Sequence, residues 1–227
     1  LNERRIRVRE QDANRHAKAV RLPGTQRAGD AMTLDQDRTM VQLVQPDWLR
    51  VWLRRPSPAD DDRLRLAEVI ALAHENVERD LGGPFAAAVY ALDGGQRLSA
   101  AVNTTLSSQC SSAHAELQAL SLAQQRLGSH TLEPFPCVLV SSSAPCTMCL
   151  GAISWSGVCG LVFSTTRREV ESIGFDEGPA TPRWRHELSR RGVTVRGPLL
   201  RRAGRAVLAR YRDLGGEIYN PHTCPGA

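Results

Sequence analysis

The chain has 227 residues, of which 41% are hydrophobic; that is enough for one sizeable core with extensions and cramped for two full domains. No apolar run approaches the ~18 residues of a membrane-spanning helix, and the opening LNERRIRVRE has no apolar signal stretch, so membrane and secreted classes are set aside. Six cysteines are too sparse for a disulfide scaffold and fit a reducing cytoplasm, while the formal charge of +5 comes from dispersed arginines without interleaved aromatics, which argues against nucleic acid as the partner.

Residues 1–45 are polar, Arg-rich and without sustained periodicity, and are expected to form an N-terminal arm. Residues 46–60 carry Trp48, Leu49, Val51, Trp52 and Leu53 ahead of a Pro-Ser-Pro break, the pattern of a short docking segment. The main domain is expected over 61–227. Leu64, Leu66, Val69, Ile70, Ala73 and Val77 recur at helical spacing between Asp61 and Asp80, with acidic residues at the start to complement the dipole. PFAAAVYAL reads as a strand, Asp93-Gly94-Gly95 as a hairpin turn and QRLSAAV as the returning strand.

A helix is predicted over Ala113–Leu127, a buried strand at CVLVSSS, a helix starting at Cys146 and a strand at CGLVFST. A helix over Arg183–Arg191, a strand at VTV and a helix over Arg205–Leu214 complete the chain. A hairpin followed by alternating helices and strands implies a mixed sheet sandwiched between helices.

Three residues in this frame have metal-ligand chemistry. In SAPCTMC a strand ends, Pro145 marks a helix start, and Cys146 and Cys149 follow one turn apart on the same face. A helix N-terminus lowers thiol pKa, which suits metal binding. His114 opens the preceding helix, so its imidazole can meet both sulfurs. Two thiolates and one imidazole leave zinc an open fourth position for water, the arrangement of a catalytic site. Glu116, beside the metal but not bound to it, then suits a proton shuttle. Competing readings are a thioredoxin-like redox pair at Cys146 and Cys149, and a closed structural zinc site completed by Cys110. A capping box ending at Glu116 needs Ser or Thr at position 113, where the chain has Ala113.

His114-Ala115-Glu116 followed by Pro145-Cys146-Thr147-Met148-Cys149 is the signature of zinc nucleobase deaminases. With GGPFAAAV at 82–89, Asn103, PCTMCLGAISW at 145–155, GFDE at 174–177 and Tyr219, the chain resembles the cytidine-deaminase-like superfamily, and within it the bacterial guanine deaminases, over about Asp61–Asn220. The resemblance implies a three-layer α/β/α sandwich with a mixed five-stranded sheet and a Zn2+ ion. It also implies hydrolytic removal of an exocyclic amine from a small aminated heterocycle, with guanine to xanthine as the leading case. Nucleosides, cytosine, triazines and tRNA adenosine are the alternative substrates, and an idle zinc-binding module is the non-enzyme alternative. A homodimer is implied, with a C-terminal segment that in the guanine branch is exchanged between subunits. Asn103 and the Ala115 backbone would meet the base edge, Phe85 and Trp155 would wall the site, and Asp176 and Tyr219 would read the far edge. Two positions depart from the pattern: Ala144 replaces a Glu before Pro-Cys, and Ala86 replaces a Gly after Pro-Phe.

Overall fold

The computed structural model describes residues 41–79, 82–179 and 181–220. The arm assigned to residues 1–45 lies outside them up to residue 40. Five strands form one sheet in the order β2-β1-β3-β4-β5: β1 Ala86–Ala91, β2 Arg97–Val102, β3 Cys137–Ser143, β4 Gly160–Thr165 and β5 Thr194–Arg196. β1 runs antiparallel to β2 and β3, and β3, β4 and β5 run parallel to one another. The predicted mixed five-stranded sheet is therefore present.

Alternation along each strand divides the core between two faces. Ala86, Ala88, Tyr90, Val138, Val140 and Val162 point to one side, where they meet α1 (Asp47–Trp52), α2 (Asp62–Glu78) and α7 (Arg201–Asp213). Ala87, Val89, Leu139, Leu161 and Phe163 point to the other, against α3 (Ala115–Leu127), α4 (Thr147–Ser156) and α6 (Trp184–Arg190). α5 (Arg167–Glu171) follows β4 and is closed by a Thr166/Glu169 capping box.

Local chemistry sets the boundaries. Asp61 caps α2 by accepting from the N–H groups of Arg63 and Leu64. In the hairpin loop of residues 92–96 both Gly94 (φ 70°) and Gly95 (φ 64°) take left-handed conformations, which glycine adopts without a Cβ penalty. Residues 47–57 are fixed to the sheet edge by Arg97, whose guanidinium pairs with Glu68 and donates to the carbonyls of Leu53 (3.1 Å) and Arg55 (2.8 Å). Leu49 and Trp52 are buried there. Helix α7 begins four residues before its predicted start, after Leu200 in a left-handed conformation.

Candidate active site

The strand directions bring the candidate residues to one end of the sheet. Ala87 pairs with Ser141 and Ala86 with Val102, so Phe85 before β1, Asn103 after β2 and Ser143 at the close of β3 share that end. His114 and Cys146 are the N-cap residues of α3 and α4, the two helices packed side by side on one face. Each helix thus turns its N-terminus toward the same spot, α3 with the Ala115 N–H, whereas the Thr147 N–H of α4 donates to the Glu177 carbonyl (3.1 Å).

His114 Nδ1 lies 3.5 Å from Cys146 Sγ and 3.6 Å from Cys149 Sγ, and the three ligand atoms fall within 4.8 Å of one another. A tetrahedral zinc, with Zn–N of about 2.0–2.1 Å and Zn–S of about 2.3 Å, spaces nitrogen and sulfur roughly 3.5 Å apart. The donor set and its spacing therefore fit zinc. Cys110 is not in the group and contacts Ser112 Oγ instead (3.2 Å), so the closed four-ligand alternative has no geometric support. The thiols hold their protons unequally. The Cys146 thiol is lowered to about 4, chiefly by a hydrogen bond with Cys149 and further by His114, while the same hydrogen bond and burial push Cys149 up. Burial alone pulls the His114 imidazole down, but the hydrogen bond to Cys146 and the charge of Glu116 outweigh it and raise its pKa.

Glu116, in the first turn of α3, is buried and accepts a hydrogen bond from Ser141 Oγ at 3.1 Å. Burial first, and the Cys146 thiolate second, raise its pKa. Asn103 is 1% exposed; its Oδ1 accepts from Thr105 N–H (3.2 Å) and its backbone carbonyl from Asn76 Nδ2 (3.1 Å). Phe85 packs edge-on against Phe175 (5.1 Å between centroids), and Phe175 packs likewise against Tyr219 (5.0 Å). The Tyr219 hydroxyl is buried and has no hydrogen-bond partner among the described residues. It reaches its place only because residue 83 is glycine, where a Cβ would stand 2.0 Å from it.

Two expected site residues are exposed in the described chain. Trp155 is 82% exposed, because α4 buries Cys149, Ile153 and Ser156 against the body and Trp155 projects from the opposite side. Asp176 is exposed and builds the loop: its Oδ1 accepts from Gly178 N–H (2.8 Å), and its own N–H donates to Asn220 Oδ1 (2.8 Å). The buried carboxylate of the GFDE segment is its neighbour Glu177, which sequence reasoning passed over. Glu177 is pushed up to about 8, mainly by burial and then by the charges of Cys146 and Glu116, and its carbonyl accepts from Thr147 N–H at the start of α4 (3.1 Å). Two acidic residues side by side in GFDE were the available signal. Asn220 also donates to the Gly174 carbonyl (2.8 Å), so the tail as far as residue 220 packs on its own chain.

The sequence profile of the cytidine and deoxycytidylate deaminase zinc-binding region matches residues 60–165. The guanine deaminase of Bacillus subtilis is 33% identical over 112 residues, 49% of this chain and 69% of that one. A solved guanine deaminase from Nitrosomonas europaea is 41% identical, covering 77% of this chain and 97% of that one with a TM-score of 0.73. The chain belongs to the guanine deaminase family. The protein NE0047, solved in complex with 2,6-diaminopurine, is 42% identical and covers 80% of this chain and 97% of its own length, with a TM-score of 0.75. As a member of the guanine deaminase family the chain is a zinc-dependent hydrolase of C–N bonds in cyclic amidines, and His114, Cys146 and Cys149 are where the ion fits.

Proposed function

We propose that the protein deaminates guanine to xanthine and ammonia, with Glu116 as the proton carrier and His114, Cys146 and Cys149 as the metal ligands. The observation that carries this reading is a buried carboxylate, Glu116, held by Ser141 beside a three-ligand cluster of zinc dimensions. Bound there, zinc supplies the Lewis acidity that makes water a nucleophile near neutral pH. Glu116 would carry one proton from that water to a ring nitrogen and then the second proton of the same oxygen to the departing amine, so that the oxygen stays as the carbonyl and ammonia leaves. Its raised pKa brings it closer to the operating pH, where one group serves best as both base and acid. Asn103 NH2 and the Ala115 N–H donate to the acceptors of the base, Phe85 walls its face, and the Tyr219 hydroxyl and Glu177 carboxyl meet its polar rim. A flat polar heterocycle needs such faces and rim groups.

Tyr219, buried against Gly83 and Phe175, favours a small enclosed base over one carried on tRNA. Residues 61–227 serve as the deaminase domain, and 46–60 as a segment docked on it through Leu49 and Trp52. The enzyme acts as a homodimer in a reducing compartment such as the cytoplasm. In support of a second copy, α4 is apolar on both sides and turns Met148, Gly151 and Trp155 outward. Ammonia release by zinc-loaded protein from guanine, guanosine, adenine, cytosine, cytidine and an aminated triazine tests the substrate. Guanine should give the highest kcat/KM; preference for any other compound replaces guanine in this reading, and release from none of them removes the activity.

A further inference from the structure

Helix α2 turns Val69, Leu72, Ala73 and Val77 into the core, and among them it also buries an amide, Asn76. By burial alone an apolar side chain would suit that face better. The two hydrogens of Asn76 Nδ2 account for the exception: the nitrogen donates to the Gly83 carbonyl (3.0 Å) and to the Asn103 carbonyl (3.1 Å). Both acceptors belong to irregular chain, one just ahead of β1 and the other just past β2, and neither lies in the helix that carries the donor. Asn76 Oδ1 is buried with no hydrogen-bond partner among the described residues, a cost that the clamp on these two segments outweighs.

The two segments joined by Asn76 carry residues proposed to meet the base. Gly83 stands two residues before Phe85, accepts the Phe85 N–H on the same carbonyl (2.8 Å), and backs the Tyr219 hydroxyl. Asn103 donates its own N–H to the Phe85 carbonyl (2.9 Å), and its carbonyl lies against Gly82, where a Cβ would collide with it. The opposite face of β2 has a separate fastening. Gln118 Nε2 donates to the Val102 carbonyl (3.2 Å) and to the Ala113 carbonyl (2.8 Å), which fixes the strand end and the approach to His114. Loss of the Asn76 amide therefore loosens Gly83 and Asn103 and leaves the metal ligands held.

We infer, on the proposed role of Asn103 at the base edge, that Asn76 is a positioning residue for substrate binding. It touches no reacting atom; it sets the distance between the Phe85 wall and the Asn103 edge.

Ammonia release by the full zinc-loaded chain tests this, using whichever compound of the panel gives the highest kcat/KM. The variants are Asn76→Ser, which cannot overpack, and Asn76→Leu, which keeps the branching without a donor, each alone and combined with Asn103→Ala. Each single variant at 76 should raise KM about tenfold, the scale of one misplaced hydrogen bond to the base, with kcat within about twofold of the parent and zinc per chain unchanged. In the Asn103→Ala background the further rise should stay below about threefold, because the positioned group is gone. A tenfold rise in both backgrounds, an unchanged KM, or a loss of kcat that tracks lost zinc overturns the role of Asn76 and leaves the deaminase reading standing; parental KM in Asn103→Ala overturns the base-edge role and this one together. Amide hydrogen exchange by NMR gives a readout independent of turnover: the Asn103 amide should exchange at least about tenfold faster in Asn76→Ser while β3 keeps its parental rates, and a parental rate at Asn103 overturns the clamp.

Discussion

Glu116→Gln separates chemistry from architecture at this site. Glutamine has the same shape, and its Oε1 can still accept from Ser141, whose hydroxyl lies 3.1 Å from the present carboxylate. Packing and zinc content should therefore stay at parental levels. The change removes a group proposed to act in both proton transfers. General acid–base catalysis contributes about 100- to 10,000-fold, so kcat should fall roughly 1,000-fold, or about 4 kcal/mol of barrier. Thermal stability should move the other way or not at all. Burial and the Cys146 thiolate raise the Glu116 pKa, so ionised Glu116 costs the folded state more than the unfolded one. Any stability that its protonated form contributes is complete below the unfolded-state pKa and lost as pH rises through the folded one. At pH 8 the variant should melt no lower than the parent. Coupled ammonia release gives kcat, elemental analysis gives zinc per chain, and calorimetry gives Tm. A variant that keeps its zinc and stays within tenfold of the parental kcat refutes the proton-carrier role, because no other buried carboxylate in this cluster stands in the first turn of α3.

Glu177, pushed up to about 8 by burial, favours the folded state most below its unfolded-state pKa and loses that contribution as pH rises through about 8. Tm measured from pH 5 to 9 should fall more steeply in the parent than in Glu177→Gln, and parallel curves would assign the pH dependence to other groups. Gly83→Ala places a methyl where the Tyr219 hydroxyl now sits, 2.0 Å from the ideal Cβ. Displacing the tail by such overpacking costs about 1–3 kcal/mol, and KM for guanine should rise with zinc content unchanged; an unaltered KM would remove Tyr219 from the substrate site. Trp155→Glu on the outward face of α4 should shift the protein from dimer to monomer in light scattering, and a variant that stays dimeric places the interface elsewhere.

What could be read from the sequence follows from how each element is encoded. β3 is an uninterrupted buried run bounded by Pro136 and Ala144-Pro145, and it falls on Cys137–Ser143 as predicted. The metal cluster is legible because two thiols at i and i+3 can share a helix face whatever the rest of the fold does. The outward position of Trp155 was not legible because α4 is largely apolar, so no polar stripe says which side meets the body. The outward position of Asp176 was hidden for another reason: in the irregular loop after α5 no periodicity tells which of two adjacent carboxylates turns inward. The choice is made by the backbone, where Asp176 accepts from Gly178 N–H and Glu177 is left on the buried side. α1 and α5 span six and five residues, too short for a 3.6-residue pattern to repeat.

The two departures from the family pattern act on charge and not on framework. Ala86 is fully buried in β1, and its N–H is taken by Ser142 Oγ at 3.1 Å, so its methyl joins the core where glycine would add none. Ala144 is 5% exposed, and its N–H donates to the Thr165 carbonyl (2.7 Å), so the turn into the Pro145-Cys146 segment is held by backbone alone. A carboxylate at 144 would stand two residues from the Cys146 thiolate, in a cluster where like charge already raises Glu116 and Glu177. With alanine there, the buried carboxyls near the metal cluster are Glu116 and Glu177. Burial raises the pKa of both. Two buried carboxyls suit the proposed reaction, which moves one proton of a water to a ring nitrogen and the other to the departing amine.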